Sequence, residues 1–316
     1  MTVDRLYPLL VLVCGVGTGC TGGDADRESP GAQRAGLSTS TPPIVTVVAR
    51  DYAFDVADSL PAGWTTLDFE NAGQEEHFAY FYRLPEDKTI EDLRTEALAP
   101  FGAAWYGYVT GEISREEAED RFRTEIPAWF YDEIVSVGGA ALTEPGERAR
   151  VTIDLEPGTY VLECYVKRPD GTWHTELGMQ RTVVVASDEH DMDAAPPEPD
   201  ATMTLSNYEI EVAGQVPAGS SVIEVRAEDR PDGLMPHDIN LFRLEEGVGL
   251  PEIVEWMDWM EPEGFRAPAP GRSLGGMEHL SPDRAGYVHL DLEPGSYAWV
   301  SEGYGDRGMV REFTVP

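Results

Sequence analysis

The chain repeats itself, and that limits its folds more than any other feature. Tyr52, Pro61, Ala62 and Gly63 recur 156 positions on as Tyr208, Pro217, Ala218 and Gly219. His77, Arg83 and Leu84 recur 160 positions on as His237, Arg243 and Leu244. Gly138-Gly139 and the block Asp154-Leu155-Glu156-Pro157-Gly158 recur 137 positions on as Gly275-Gly276 and Asp291-Leu292-Glu293-Pro294-Gly295. Three blocks in one order mark an internal duplication, so the architecture has to be built twice. A length of 316 residues suits two domains. Residues 187–201 (SDEHDMDAAPPEPDA) are acidic and Pro-rich and read as the linker, leaving a first domain over 44–186 and a second over 202–316.

Each copy reads as mainly β. Val45–Val48 is β-branched, Trp64–Phe69 alternates, and Phe78–Leu84 is aromatic and alternating. Val151–Leu155, Tyr160–Cys164 and Arg181–Val185 complete the set, with Pro-Gly turns between strands. Pro157-Gly158 ahead of Tyr160 resembles the corner turn of Greek-key sandwiches, where a tyrosine ties the turn to the sheet. Ser114-Arg115-Glu116-Glu117 has capping-box spacing and predicts a helix to about Arg123, and Thr89-Ile90-Glu91-Asp92 predicts a second, shorter one. Pro251–Met260 is the helical counterpart in the second copy. The expectation is two Greek-key β-sandwiches, each with a small helical insert.

The first 20 residues read as an export signal: Arg5, then the apolar run Leu9–Cys14, then small residues ending at Cys20. That run is too short to span a bilayer. Val16-Gly17-Thr18-Gly19-Cys20 resembles a bacterial lipoprotein signal, which implies a signal peptide over 1–19 and lipidation of Cys20; an ordinary secretory signal cut nearby is the alternative. Residues 20–43 read as a tether, with an end-to-end distance of roughly 25 Å. With Cys14 removed and Cys20 lipidated, Cys164 is the sole thiol, so no intramolecular disulfide is available. The expected location is the cell envelope, at the periplasmic face or cell surface, held to the membrane by the N-terminal lipid.

Charge narrows the partners. With 23 Lys and Arg against 58 Asp and Glu, the formal charge is −35. Phosphate backbones repel such a chain and no basic stripe offsets this, which excludes nucleic acid. The same field would steer a basic partner protein.

Four residues of the first copy belong together: His77, Cys164, His174 and Met179. Two imidazoles, one thiolate and a weak axial thioether are the donor set of a blue-copper electron-transfer site. His77 opens a strand shortly after Asn71-Ala72-Gly73; Cys164 closes another; His174 and Met179 follow on the next loop. Each residue taken alone also has an ordinary reading, as an inert buried thiol, a loop histidine or a core methionine.

In this order the chain resembles the cupredoxins, the plastocyanin and azurin family. The likeness rests on N-x-G…H, on L-x-P-G-x-Y-x-x-x-C (Leu155 to Cys164) and on H-x4-M (His174 to Met179). It implies two cupredoxin-like domains, one mononuclear type 1 copper ion in the first, and His77, Cys164, His174 and Met179 as its ligands. Two departures stand out: nine residues (Tyr165–Trp173) separate the cysteine from the second histidine, and Phe78 follows His77 where Asn is usual. In the second copy Ser301 replaces the cysteine and no histidine lies between Ser301 and Met309, so 202–316 reads as a copper-free copy despite His237.

Glu75, Glu76, Glu163 and Glu176 would favour Cu(II) if they lay close to the site. His190 reads as solvated, His279 and His289 show no ligand spacing, and Trp256–Met260 reads as helix packing. Multicopper oxidases need His-x-His pairs, which are absent, and no nucleophile elbow, phosphate loop or zinc-protease motif is present. The expectation is therefore not an enzyme, with no small-molecule substrate, but an electron carrier. Copper storage or delivery is a related alternative. A copper-free interaction or structural lipoprotein is the rival.

Overall fold

The computed structural model describes residues 40–186, 194–232, 234–245 and 247–316. The predicted signal, Cys20, most of the tether and much of the acidic linker lie outside the described residues.

Strands of the first copy are β1 (Ile44–Arg50), β2 (Ala53–Asp55), β3 (Ser59–Pro61), β4 (Gly63–Asn71), β5 (His77–Arg83), β6 (Val135–Thr143), β7 (Arg148–Leu155), β8 (Gly158–Glu163) and β9 (Gln180–Ala186). The second copy contributes β10 (Ala201–Ser206), β11 (Glu209–Gly214), β12 (Gly219–Ala227), β13 (His237–Arg243), β14 (Arg272–Leu280), β15 (Arg284–Leu292), β16 (Gly295–Val300) and β17 (Val310–Val315). They form two sheets, in the orders β11-β10-β12-β15-β7-β4-β1-β2 and β17-β16-β13-β14-β6-β5-β8-β9-β3. The protein is thus a mainly β sandwich with one apolar core. Fully buried Phe69, Phe78 and Phe81 lie in that core, each removal from water being worth about 2–3 kcal/mol.

Each copy supplies four strands of the first sheet, the second sheet takes four from the second copy and five from the first, and the two parts are joined by strand pairing. In one sheet Val151 of β7 faces Val288 of β15; in the other Ala140 of β6 faces Met277 of β14. Both pairs are repeat equivalents, 137 positions apart. Around the second pair, Thr143 faces Leu274, the counterpart of Val137, and Val137 faces Leu280, the counterpart of Thr143. This is the reciprocity of a two-fold dimer interface, written into one chain. The pairing also removes two sheet edges per copy that would otherwise present unpaired N–H and C=O groups.

β6 escapes an alternation-based reading because its sequence, VSVGGAALT, has no period of two. The glycines are there for space. Gly139 has φ +137°, and a Cβ on it would lie 1.8 Å from the Ala79 carbonyl oxygen; on its equivalent Gly276 a Cβ would lie 2.1 Å from the Ile239 oxygen. The register slips beside both pairs, as at a β-bulge.

The corner turns form as the sequence predicts. The Tyr160 hydroxyl donates to the Glu156 carbonyl at 2.9 Å, and Tyr297 donates to Glu293 at 2.7 Å. Ser114 accepts from the Glu117 N–H at 3.1 Å and opens the predicted helix. The helical insert comprises α1 (Ile90–Asp92), a π-helical segment Leu93–Leu98, α2 (Ala99–Val109), α3 (Arg115–Glu125) and α4 (Ala128–Asp132). Thr89 does cap a helix, but that helix runs on through α2 and is longer than predicted, because Pro100, Gly102 and Gly107 mask its pattern. In the second copy α5 spans Leu250–Met257. No described helix is long and apolar enough to cross a membrane.

Candidate metal centre

Three chain segments converge at one end of the first copy. β4 ends at the buried Asn71, whose amide donates to the carbonyls of Glu75 (2.8 Å) and Thr143 (2.7 Å) and whose Oδ1 accepts from the Gly73 N–H (2.9 Å). These bonds hold the loop that delivers His77 to the start of β5. A Cβ on Gly73 would stand 2.3 Å from Asp51 Oδ1 and 2.7 Å from His77 Nε2, so a larger residue there would push this pair apart.

Cys164 directly follows β8, and its N–H donates to the Met179 carbonyl at 3.2 Å. The nine residues that separate it from His174 fold into a compact hairpin. Arg168 N–H donates to Thr172 O, Gly171 N–H to Arg168 O, and the Asp170 carboxylate accepts from Thr172 N–H. The hairpin is strapped to the second copy, with Lys167 N–H donating to Phe265 O at 2.9 Å and Ala267 N–H to Lys167 O at 2.8 Å. His174 then returns beside the cysteine, its N–H donating to Val166 O, and opens the 3-10 turn His174–Leu177. The extra loop length thus builds a contact between copies and does not carry the histidine away.

Cys164 Sγ lies 3.7 Å from His77 Nδ1 and 3.6 Å from His174 Nδ1, and the three donor atoms all fall within 4.8 Å of one another. All three side chains are buried. The imidazole centroids are 4.8 Å apart at 58°. Each imidazole is held from behind: His77 Nε2–H donates to Asp51 Oδ1 at 2.8 Å and His174 Nε2–H to Glu75 Oε2 at 2.9 Å. A carboxylate on Nε2 sets the tautomer and leaves the Nδ1 lone pair facing the sulfur.

The electrostatics favour neutral rings. Burial pushes His174 down to about 3, helped by the neighbouring His77. Burial also lowers His77, against the pull of Asp51. Burial pushes the Cys164 thiol far up, while the backbone N–H groups of Phe78 and Val166, directed at the sulfur, oppose that rise. Residue 78 therefore acts through its main chain, whatever its side chain. Met179 is fully buried, and its backbone is bonded to both neighbours, N–H to His174 O at 3.0 Å and carbonyl to Cys164 N–H.

Of the four glutamates singled out in the sequence, one touches a candidate ligand, Glu75. Glu76 accepts from Ala269 N–H at 2.9 Å, Glu163 from the Gln180 amide at 2.9 Å and Glu176 from the Tyr106 hydroxyl. Asp51, which orients His77, is not legible in the sequence: nothing in its spacing marks it, and the second copy uses a different residue, Asp229, to hold His237 at 2.7 Å.

The second copy keeps the frame and loses the donors. Ser301 N–H donates to Met309 O as Cys164 does to Met179, and Met309 N–H donates to Tyr304 O as Met179 does to His174. Tyr304 thus stands where His174 stands, a correspondence visible in the sequence as Y-x4-M against H-x4-M. Ser301 donates to Asp238 at 2.7 Å and the Tyr304 hydroxyl to Met235 O at 2.6 Å. His279 accepts from the Tyr165 hydroxyl at 2.7 Å, and His289 bonds Thr152 at 2.9 Å. Met257, Trp259 and Met260 are buried in ordinary packing.

No family model matches the chain, and no curated protein does. Among solved structures it is similar to the dithionite-reduced auracyanin of Roseiflexus castenholzii, at 19% identity over 47% of this chain and 100% of that one, with a TM-score of 0.28. It is similar to auracyanin A, a blue copper protein of Chloroflexus aurantiacus, at 22% identity over 46% of this chain and 99% of that one, with a TM-score of 0.29. A multicopper oxidase covers more of it, 88% of this chain and 92% of that one, at 15% identity and a TM-score of 0.25.

Proposed function

We propose that the first copy holds one mononuclear type 1 copper ion and that the protein carries single electrons at the cell envelope. The observation that carries this reading is the convergence of His77 Nδ1, His174 Nδ1 and Cys164 Sγ, with the far nitrogen of each ring bound by a carboxylate. His77, His174 and Cys164, with the thioether of Met179, would hold the ion, and such a donor set suits copper in both oxidation states. When bound, copper would supply a one-electron couple.

The chain's own residues do the rest. Asp51 and Glu75 keep the imidazole lone pairs aimed inward, and the backbone N–H groups of Phe78 and Val166 offset the charge of the thiolate. β5, β8 and the hairpin strapped to the second copy hold the donors still, which keeps reorganisation small. The second copy, lacking the thiolate and second imidazole, acts as a brace for that hairpin and as docking surface. Lipid on Cys20 would tether the molecule to the membrane, and the −35 charge would steer a basic redox partner, less so at high salt.

Addition of Cu(II) to the metal-free protein tests the reading. It should give one equivalent bound and an intense blue or green colour from thiolate-to-copper charge transfer, and Cys164→Ser should stay colourless. A colourless wild type with a titratable thiol would overturn it in favour of a copper-free interaction module. Copper that binds but is handed to a chelator before it cycles would instead indicate storage or delivery. Separately, Cys20→Ser should move the protein out of the membrane fraction.

A further inference from the structure

A cavity of about 400 Å3 lies between the helical insert, the second copy and the hairpin that carries His174. The volume falls in the range of small-molecule sites. Phe101, Phe122, Phe130, Trp173 and Trp259 give it aromatic walls, with Phe101 stacked on Phe122 at 4.7 Å and edge-on to Trp173 at 6.0 Å. One end is polar: Glu163 lines it with Gln180, whose amide donates to the Glu163 carboxylate at 2.9 Å; the Tyr82 hydroxyl bonds the same group, whose two oxygens offer about four acceptor sites, enough to take a further donor from a ligand. Glu163 adjoins Cys164, and Trp173 adjoins His174.

Two features of the insert keep this space open. Ala97 and Leu98, which line it, belong to the π-helical segment, a wide turn that recurs at functional sites. Gly102 lines it from the middle of α2, where a Cβ would meet no atom within 4 Å. A helix interior disfavours glycine, and here no close packing requires it. What the missing side chain leaves is room in the cavity.

We propose that this cavity binds a small, neutral, planar aromatic molecule of about two or three fused rings whose hydroxyl donates to Glu163. The aromatic walls select flat rings, and Glu163 beside Gln180 selects a ligand that carries a donor. The proposal concerns binding and holds whether or not a metal occupies the neighbouring centre.

The test is titration of 2-naphthol into the full-length protein, metal-free and copper-treated, followed by tryptophan fluorescence and calorimetry. Saturable binding of one equivalent is expected in both forms, with the fully saturated analogue decahydro-2-naphthol about tenfold weaker and naphthalene about fivefold weaker for want of the hydroxyl. Gly102→Phe should fill the cavity and weaken 2-naphthol at least about tenfold with an unchanged circular dichroism spectrum, while Gly102→Ala binds as wild type. Should Gly102→Phe not fold, Trp259→Ala, which removes a wall, should weaken binding about tenfold. Absence of saturable binding, or equal binding by the cavity variants and the wild type, would overturn the proposal. Failure of the copper titration would leave it standing, so the two readings fail separately.

Discussion

Asp51 accepts from His77 Nε2 at 2.8 Å, and this one bond decides which nitrogen of the ring faces Cys164. Histidine can present either ring nitrogen, and a carboxylate on one side removes the choice. Asp51 therefore acts on the centre without facing it.

Asp51→Asn should weaken metal affinity by about 10- to 100-fold, as loss of the partner behind a ligating histidine commonly does. Competition with a copper chelator measures it. Asp51→Glu, which keeps the carboxylate, should recover part of the loss; equal affinity for wild type and Asp51→Asn would remove the role assigned to Asp51.

The second copy should accept a transplanted site. Among the described residues His237 Nδ1 is buried without a partner, and the backbone around Ser301, Tyr304 and Met309 repeats that around Cys164, His174 and Met179. The double substitution Ser301→Cys, Tyr304→His should raise bound copper from one to two equivalents, counted by metal analysis after gel filtration. An unchanged ratio would mean that the shorter loop, not only the lost donors, disables the copy.

Gly139→Ala should destabilise the whole molecule by about 3 kcal/mol, since the new Cβ meets the Ala79 carbonyl oxygen and the backbone sits at positive φ. Because both sheets run through the two copies, denaturant should unfold them in one transition. Two separate transitions, with Gly139→Ala shifting only the first, would show that the cross-copy pairing couples them weakly.

Glu163 gives stability a pH dependence. Burial pushes its carboxyl up to about 7, above the usual glutamate value of about 4.3 in an unfolded chain. Between those values the folded protein keeps a proton that the unfolded chain has released. Stability from this group is therefore full below about pH 4 and falls as pH rises to about 7, by roughly 4 kcal/mol at most. Denaturation midpoints from pH 5 to 8 should decline in the wild type and decline less in Glu163→Gln. Parallel declines would remove Glu163 as the cause.

Much of the fold was legible because strand alternation leaves a mark in sequence. β4 and β5 carry it, β7, β8 and β9 show as β-branched or aromatic runs, and the Pro-Gly-x-Tyr turns fix where strands reverse. β6 left none, because its glycines were placed for backbone clearance and not for a face. The candidate ligands were legible as a conjunction: the one cysteine beyond the predicted signal and its cleavage site, with a histidine and a methionine downstream, and a further histidine at the head of a distant strand. Asp51 was not, since one aspartate among so many carboxylates has no distinguishing mark. Tyr304 could have been read from its spacing to Met309.

By itself the sequence determined that the molecule is a duplicated β protein and which copy retains a complete donor set, because both are matters of residue type and order along one chain. The tertiary structure decided that the copies share their sheets, that the long loop is spent on bracing one copy against the other, and that an aromatic cavity opens beside the centre. Those depend on backbone hydrogen bonds, which have no side-chain signature, and on walls drawn from segments more than a hundred residues apart, whose meeting only the folded chain sets.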